Sequence, residues 1–194
     1  MDRGFASMAR GLVLSAARYP DKPALVEIDR LTLSYRDLRD GAIRLANRLA
    51  ARGVRKGDHV AILSGNSVEH MLALYGCAFL GAVQIALDPK WTAREVAQAI
   101  QAFDCKIVIA DEALEQALAL LPKGATPHSA LMYRRHVDRC ELLEELRGES
   151  ATPPPVSVHD HDVCMIVLTS GTTGFPRSEE HTSELQSRFG ISYA

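Results

Sequence analysis

The spacing of hydrophobic positions changes along this chain, and each change marks an element. Near the start, an apolar stretch over 11–17 follows Arg3 and Arg10. It runs on through Tyr19, Pro20 and Asp21 into more patterned sequence without a clear cleavage site, so the pattern predicts an amphipathic helix rather than a secretory leader. Short β-compatible runs over 24–28 and 31–35 flank Asp29 and Arg30 and predict a hairpin. Ser34, with Asp37 three residues on, is placed to cap the next helix. Leu38, Ile43, Leu45, Ala46, Leu49 and Ala50 then fall at helical spacing, and Gly53 supplies a stop.

The middle of the chain reads as strand, helix, strand. An apolar run over 60–63 leaves through Ser64, Gly65, Asn66 and Ser67 into a helix over 68–80 that is apolar on most faces and therefore predicted to be buried. Gly81 ends it, and 83–87 supplies the second strand. Such a unit implies parallel strands and a right-handed crossover. A turn through Asp88, Pro89, Lys90 and Trp91 precedes Thr92 and Glu95, which form a second capping-box pattern. The helix they open runs to Ala102, and a third buried strand covers 107–110. This alternation predicts an open α/β layer. From 111 to 155 the signal weakens: helices are placed over 112–121 and 138–146, with loops at 122–124 and 152–155. A last apolar run over 165–168 is read as another parallel strand, whose carboxyl end is where open α/β sheets gather their ligands.

The chemistry lies directly beyond that run. Thr169, Ser170, Gly171, Thr172, Thr173 and Gly174, then Phe175 and Pro176, form a turn suited to phosphate. The glycines present no side chain to block an anion, and the hydroxyls add donors to the backbone N–H groups. The second glycine comes three residues after the first and no Gly-Lys-Ser/Thr succeeds it, so this is neither a P-loop nor a dinucleotide fingerprint.

Composition narrows the classes. At 194 residues, 47% hydrophobic and 24% charged, the chain is long enough for one domain with a real core. A net charge of −2 gives no electrostatic case for nucleic acid or an anionic membrane as partner. No run approaches the roughly 18 apolar residues of a membrane span. Cys77, Cys105, Cys140 and Cys164 are widely spaced, which points to free thiols in a reducing cytoplasm. His59 and His70 lack a nucleophile or carboxylate at a recognisable spacing and are read as structural. His159, Asp160, His161 and Asp162 invite a metal reading, but four adjacent ligands on a regular element cannot all face one ion, so no metal site is assigned.

The order Thr-Ser-Gly-Thr-Thr-Gly-x-Pro resembles the phosphate-binding signature of the adenylate-forming superfamily, which includes acyl-CoA synthetases, peptide-synthetase adenylation domains and luciferases. The stretches 33–38, 57–63 and 81–83 are similar to elements of the same family, and the resemblance spans 14–176. It implies an α/β fold that is the N-terminal part of the large adenylating domain, a partly parallel wound sheet with flanking helices. It also implies a carboxylic acid, ATP and CoA as small-molecule partners, with Mg²⁺ as cofactor. Thr169, Ser170, Gly171, Thr172, Thr173 and Gly174 match the positions that hold the ATP phosphates, and the Gly-Phe-Pro ending leans toward fatty and aryl acid ligases. The family's adenine and ribose contacts, acid pocket, Mg²⁺ ligand, CoA site and catalytic lysine fall downstream. No catalytic residue is therefore assigned, and the 194-residue chain is expected to be inactive alone. The competing class is a standalone, non-catalytic nucleotide-binding module.

Arg177 stands where the family has lysine, and the polar sequence after it has no core pattern. Translated back into codons, 177–187 and 191–194 match a common short-read sequencing adapter on either side of an index-sized gap. The expected organisation is thus an adenylating-domain portion over 1–176 and a non-native tail over 177–194.

Overall fold

The structure is a computed structural model that describes residues 8–111, 129–169 and 177–182, with backbone alone at 129, 169 and 177–182. In chain order the elements are α1 (Met8–Arg18), β1 (Pro23–Glu27), β2 (Leu31–Ser34), α2 (Tyr35–Ala51), β3 (His59–Leu63), α3 (Val68–Leu80) and β4 (Val83–Leu87). Then come α4 (Ala93–Ala102), β5 (Ile107–Asp111), β6 (Ser129–Tyr133), α5 (Glu141–Glu145), a 3₁₀ turn (Leu146–Gly148), β7 (Val163–Thr169) and β8 (Arg177–Thr182).

Local chemistry sets most of these boundaries. The Ser34 hydroxyl accepts from the Asp37 N–H at 3.1 Å while the Asp37 carboxylate reaches back, closing the expected capping box of α2. Thr92 and Glu95 do the same for α4. Gly81 ends α3 at φ 71°, a left-handed conformation that costs glycine little.

The six-stranded sheet runs β6-β5-β3-β4-β7-β8. Its first five strands are parallel, as the alternating helices and strands require, and β8 lies antiparallel against β7. The α/β fold expected from the sequence is present, and the strands expected near Val60, Val83, Ile107 and Met165 sit side by side in one sheet. Three features differ from the sequence reading. Strand β6 pairs with β5 in a region of weak sequence signal, and the helix expected over 138–146 shortens to α5 and a 3₁₀ turn. The polar stretch Arg177–Thr182, which has no core pattern, pairs with β7 from Thr169↔Arg177 to Val163↔Thr182. The helix expected over 112–121 lies outside the described residues.

The sheet is packed on both faces. On one face α1, α2 and α3 join Val60, Ile62, Ile107 and Ile109 in a core that includes Leu45, Leu49, Leu72 and Cys77. On the other, α4 contributes Val96 and Ile100 against Ala61, Leu63, Ile85 and Val108. Helix α3 is buried nearly all round, as predicted from its composition.

Candidate functional site

Parallel pairing brings five strand ends to one edge. Leu63 stands level with Leu87 and Ala110, Asp111 with Tyr133, and Ala86 with Val167. Thr169, the last residue of β7, therefore leaves the sheet at the same carboxyl edge as the loops after β3 and β4. Among the residues predicted to hold phosphate, Thr169 is placed by its backbone pairing with Arg177, whereas Ser170, Gly171, Thr172, Thr173 and Gly174 lie outside the described residues.

The rest of the edge is tied together by side-chain hydrogen bonds. The buried Tyr133 hydroxyl donates to Ser64 Oγ at 2.5 Å, and Ser64 Oγ lies 3.4 Å from Ser67 Oγ. Burial pushes the Tyr133 phenol up to about 12, so it stays a neutral donor. Ser67 in turn accepts from the His70 N–H at 3.1 Å and caps α3.

Beside it, the hairpin turn delivers Arg30 into a buried ionic cluster. Asp29 adopts φ 58°, a left-handed value that Asp tolerates better than most residues. The Arg30 guanidinium grips Glu69, which is fully buried, and Glu27 at 2.6 Å, and it donates to the His136 and Arg139 carbonyls. Glu27 also accepts from the Val68 N–H and from Arg135. Burial pushes the Glu27 carboxyl up, but the Val68 N–H, Arg30 and Arg135 outweigh it and leave it below the usual range. Arg30 reaches partners 39 to 109 positions away in the chain, so no local motif announces them.

His59 and His70 sit among structural contacts. His59 Nδ1 meets the Phe103 carbonyl, and His70 Nε2 lies 3.2 Å from Gln84 Nε2. At the opposite edge Asp162 pairs with Lys56 at 2.6 Å and accepts from the His159 N–H, while the His159 and His161 rings stack at 5.6 Å. Among the described residues no three His, Cys, Asp or Glu side chains gather to hold a metal ion.

The fold is an open, largely parallel α/β sheet, a class that gathers its ligands at the carboxyl edge, where β7 ends at Thr169. The sequence matches the family described as AMP-binding enzyme over residues 12–183. The chain belongs to that family, within the adenylate-forming superfamily, and is acyl-CoA-synthetase-like. It is 31% identical over 163 residues to a 2-succinylbenzoate–CoA ligase of Oceanobacillus iheyensis, covering 84% of this chain and 31% of that protein. It is 34% identical over 152 residues to the long-chain-fatty-acid–CoA ligase FadD13 of Mycobacterium tuberculosis, covering 78% and 30%. Among solved structures, the inhibitor-bound N-terminal domain of FACL13 from Mycobacterium tuberculosis superposes with a TM-score of 0.80 at 31% identity, covering 92% of this chain and 45% of that one. The chain spans about a third of the length of the two curated relatives, 31% and 30%.

Proposed function

We propose that residues 1–176 are the phosphate-holding N-terminal portion of an ATP-dependent acyl-CoA synthetase. In that reaction a carboxylic acid attacks ATP to give an acyl-adenylate and pyrophosphate, and the CoA thiol then displaces AMP. A carboxylate is a poor acyl donor until its oxygen belongs to a good leaving group, and AMP supplies one. Charge that develops on the phosphoryl groups must be met by fixed donors. The observation that carries the reading is the run 169–174, which begins where β7 leaves the carboxyl edge. Thr169, Ser170, Gly171, Thr172, Thr173 and Gly174 are assigned to the ATP phosphates on the match of their order to the family signature. The same match favours fatty or aryl acids over amino acids as substrate. Free cysteines at all four positions support a reducing, cytoplasmic setting.

Alone, the 194-residue chain is proposed to be catalytically incomplete, because the groups that bind adenine, ribose and the acid belong to segments the family places downstream. Purified chain incubated with ATP, Mg²⁺ and a panel of fatty and aryl acids should release no pyrophosphate above a variant with Ser170, Thr172 and Thr173 changed to Ala. Adenylate formed well above that control contradicts the proposal.

The tail over 177–194 is proposed to be foreign to the natural protein. Long-read sequencing of source DNA across the Pro176 codon should show the frame continuing with Lys-Gly. A second reading, the standalone nucleotide-binding module, draws support from the pairing of Arg177–Thr182 with β7 and from the family match extending to residue 183. Source DNA that encodes 177–194 and then a stop would favour that reading and refute the foreign tail.

A further inference from the structure

The large apolar side chains that the described residues leave exposed fall in two groups: Val26, Ile28 and Val137 about the hairpin turn, and Val13, Leu14 and Tyr19 on and just after α1. The second group follows from the register of the helix. Ala9, Leu12 and Ala16 are buried where α1 packs on α2 and α3, whereas Arg10, Val13, Leu14, Ala17 and Arg18 are exposed. Positions 10, 13, 14, 17 and 18 share one side of a helix, so α1 turns outward a stripe of three apolar residues with an arginine at either end. Surface helices ordinarily keep that side polar. Here Val13 is 37% exposed, Leu14 56% and Tyr19 46%.

The charge around the stripe has one sign. Helix α1 contains no Asp or Glu, and over 8–22 Arg10, Arg18 and Lys22 stand against Asp21 alone, which pairs with Arg36 of α2 at 3.0 Å. The net charge of −2 averages over this unevenness. The Arg18 guanidinium and the Lys22 ammonium lie 5.2 and 5.4 Å from the centre of the Tyr19 ring, and among the described residues neither meets a carboxylate. Arg10 keeps a contact within the molecule, so the two cations at and beyond the end of the helix carry most of the attraction for an anion. Long basic side chains and a tyrosine beside an aliphatic stripe suit a boundary that is apolar on one side and wet on the other. A helix side is also a ridge: a fluid bilayer conforms to it, whereas a protein partner needs a matching hollow.

We propose that α1 docks on the surface of a lipid bilayer that carries anionic headgroups. The helix lies in the plane of the interface, with Val13 and Leu14 entering the outer ends of the acyl chains and Arg18 and Lys22 meeting the headgroup anions. The inference is independent of the phosphate run and of the reaction proposed above.

The test is co-sedimentation of the 194-residue chain with vesicles of phosphatidylcholine alone, and of phosphatidylcholine with about one part in four of phosphatidylserine, at low and at physiological ionic strength. Wild type should bind the anionic vesicles at least about tenfold more tightly than the neutral ones, and added salt should erode the difference. A double variant (Arg18→Gln, Lys22→Gln) should bind the anionic vesicles about tenfold more weakly, since each cation near such a surface is worth about fivefold. A second (Val13→Ser, Leu14→Ser) should lose about three- to tenfold, while Ile28→Ser, which trims an exposed aliphatic at the hairpin, should bind as wild type does. Wild type that binds neither vesicle, or both equally at low salt, overturns the inference, and this comparison decides even where a variant melts early. Undiminished binding by either double variant with a wild-type melting curve also overturns it, as does an equal loss in Ile28→Ser. If light scattering shows a dimer that the Val13→Ser, Leu14→Ser variant splits, the stripe is occupied by a second copy and the inference fails.

Discussion

At the scale of single residues, the buried Arg30–Glu69 pair is the contact whose loss should be felt most. The Arg30 side chain is 7% exposed and that of Glu69 0%, so removing the guanidinium strands a carboxylate away from water. Arg30→Met should cost about 3–5 kcal/mol in urea denaturation, a large part of the stability of a domain this size. A loss below about 1 kcal/mol would show that the cluster is solvated or redundant. His70 gives a pH signature. Burial holds its pKa below the ordinary value, so the unfolded chain takes up its proton first as pH falls. Stability should therefore be flat just above the unfolded histidine value of about 6.5 and decline below it, and the NMR titration midpoint of His70 should lie under that of an exposed histidine. A midpoint at or above the exposed value would contradict this. Residue-scale chemistry was legible where it is local: the Ser34–Asp37 and Thr92–Glu95 boxes show in a spacing of three. The Arg30 cluster and the Tyr133–Ser64 bond were not, because their partners meet only through the fold.

At the scale of elements, α2 packs against α3 and α5 so closely that a Cβ at its glycine contacts would displace leucine side chains. A Cβ at Gly76 would come within 2.9–3.2 Å of the Leu45 side chain, and one at Gly41 within 2.2 Å of Leu143 Cδ2 and 2.9 Å of Leu72 Cδ2. Gly76→Ala gains helix propensity but must push Leu45 aside, and overpacking of this kind costs about 1–3 kcal/mol. The double change Gly41→Ala with Gly76→Ala should lower the melting temperature by more than either alone; a rise would mean that the helices separate freely. Buried cysteines tie both faces of the sheet to alkaline pH, Cys77 on the α2–α3 face and Cys105 on the α4 face. Burial pushes the Cys77 and Cys105 thiols up to about 12, so the folded state keeps them neutral while unfolded thiols ionise near about 8.5. Stability should hold below that value and fall as pH rises toward 12, with Cys77→Ala weakening the decline in a pH series of melts.

The elements found from sequence were those with their own period and punctuation. Strands β3, β4, β5 and β7 are apolar runs between turn signals, and the helices between them carry caps. Strand β6 escaped because its place comes from parallel pairing with β5 across the segment that separates them. Strand β8 escaped because Ser178, Glu179, Glu180 and His181 offer neither face of a strand an apolar row. It exists through backbone pairing with β7, which a pattern of side chains does not encode.

At the scale of the whole molecule, the five parallel strands of one sheet carry their loops to a common edge. The apolar faces of that sheet and its helices explain why the fold was legible: the alternation of helix and strand leaves an open α/β layer as the economical solution. For the candidate site, composition alone speaks: glycines and hydroxyls in the order of 169–174 suit an oxyanion, and the fold adds that β7 ends at the carboxyl edge where Thr169 leaves the sheet. The central claim is that this edge holds nucleotide phosphates through the 169–174 run. Its most direct measurement is the ATP affinity of the 194-residue chain against the variant with Ser170, Thr172 and Thr173 changed to Ala. The account predicts saturable binding by the wild-type chain that weakens about tenfold or more in the variant. Equal affinity in both would contradict it.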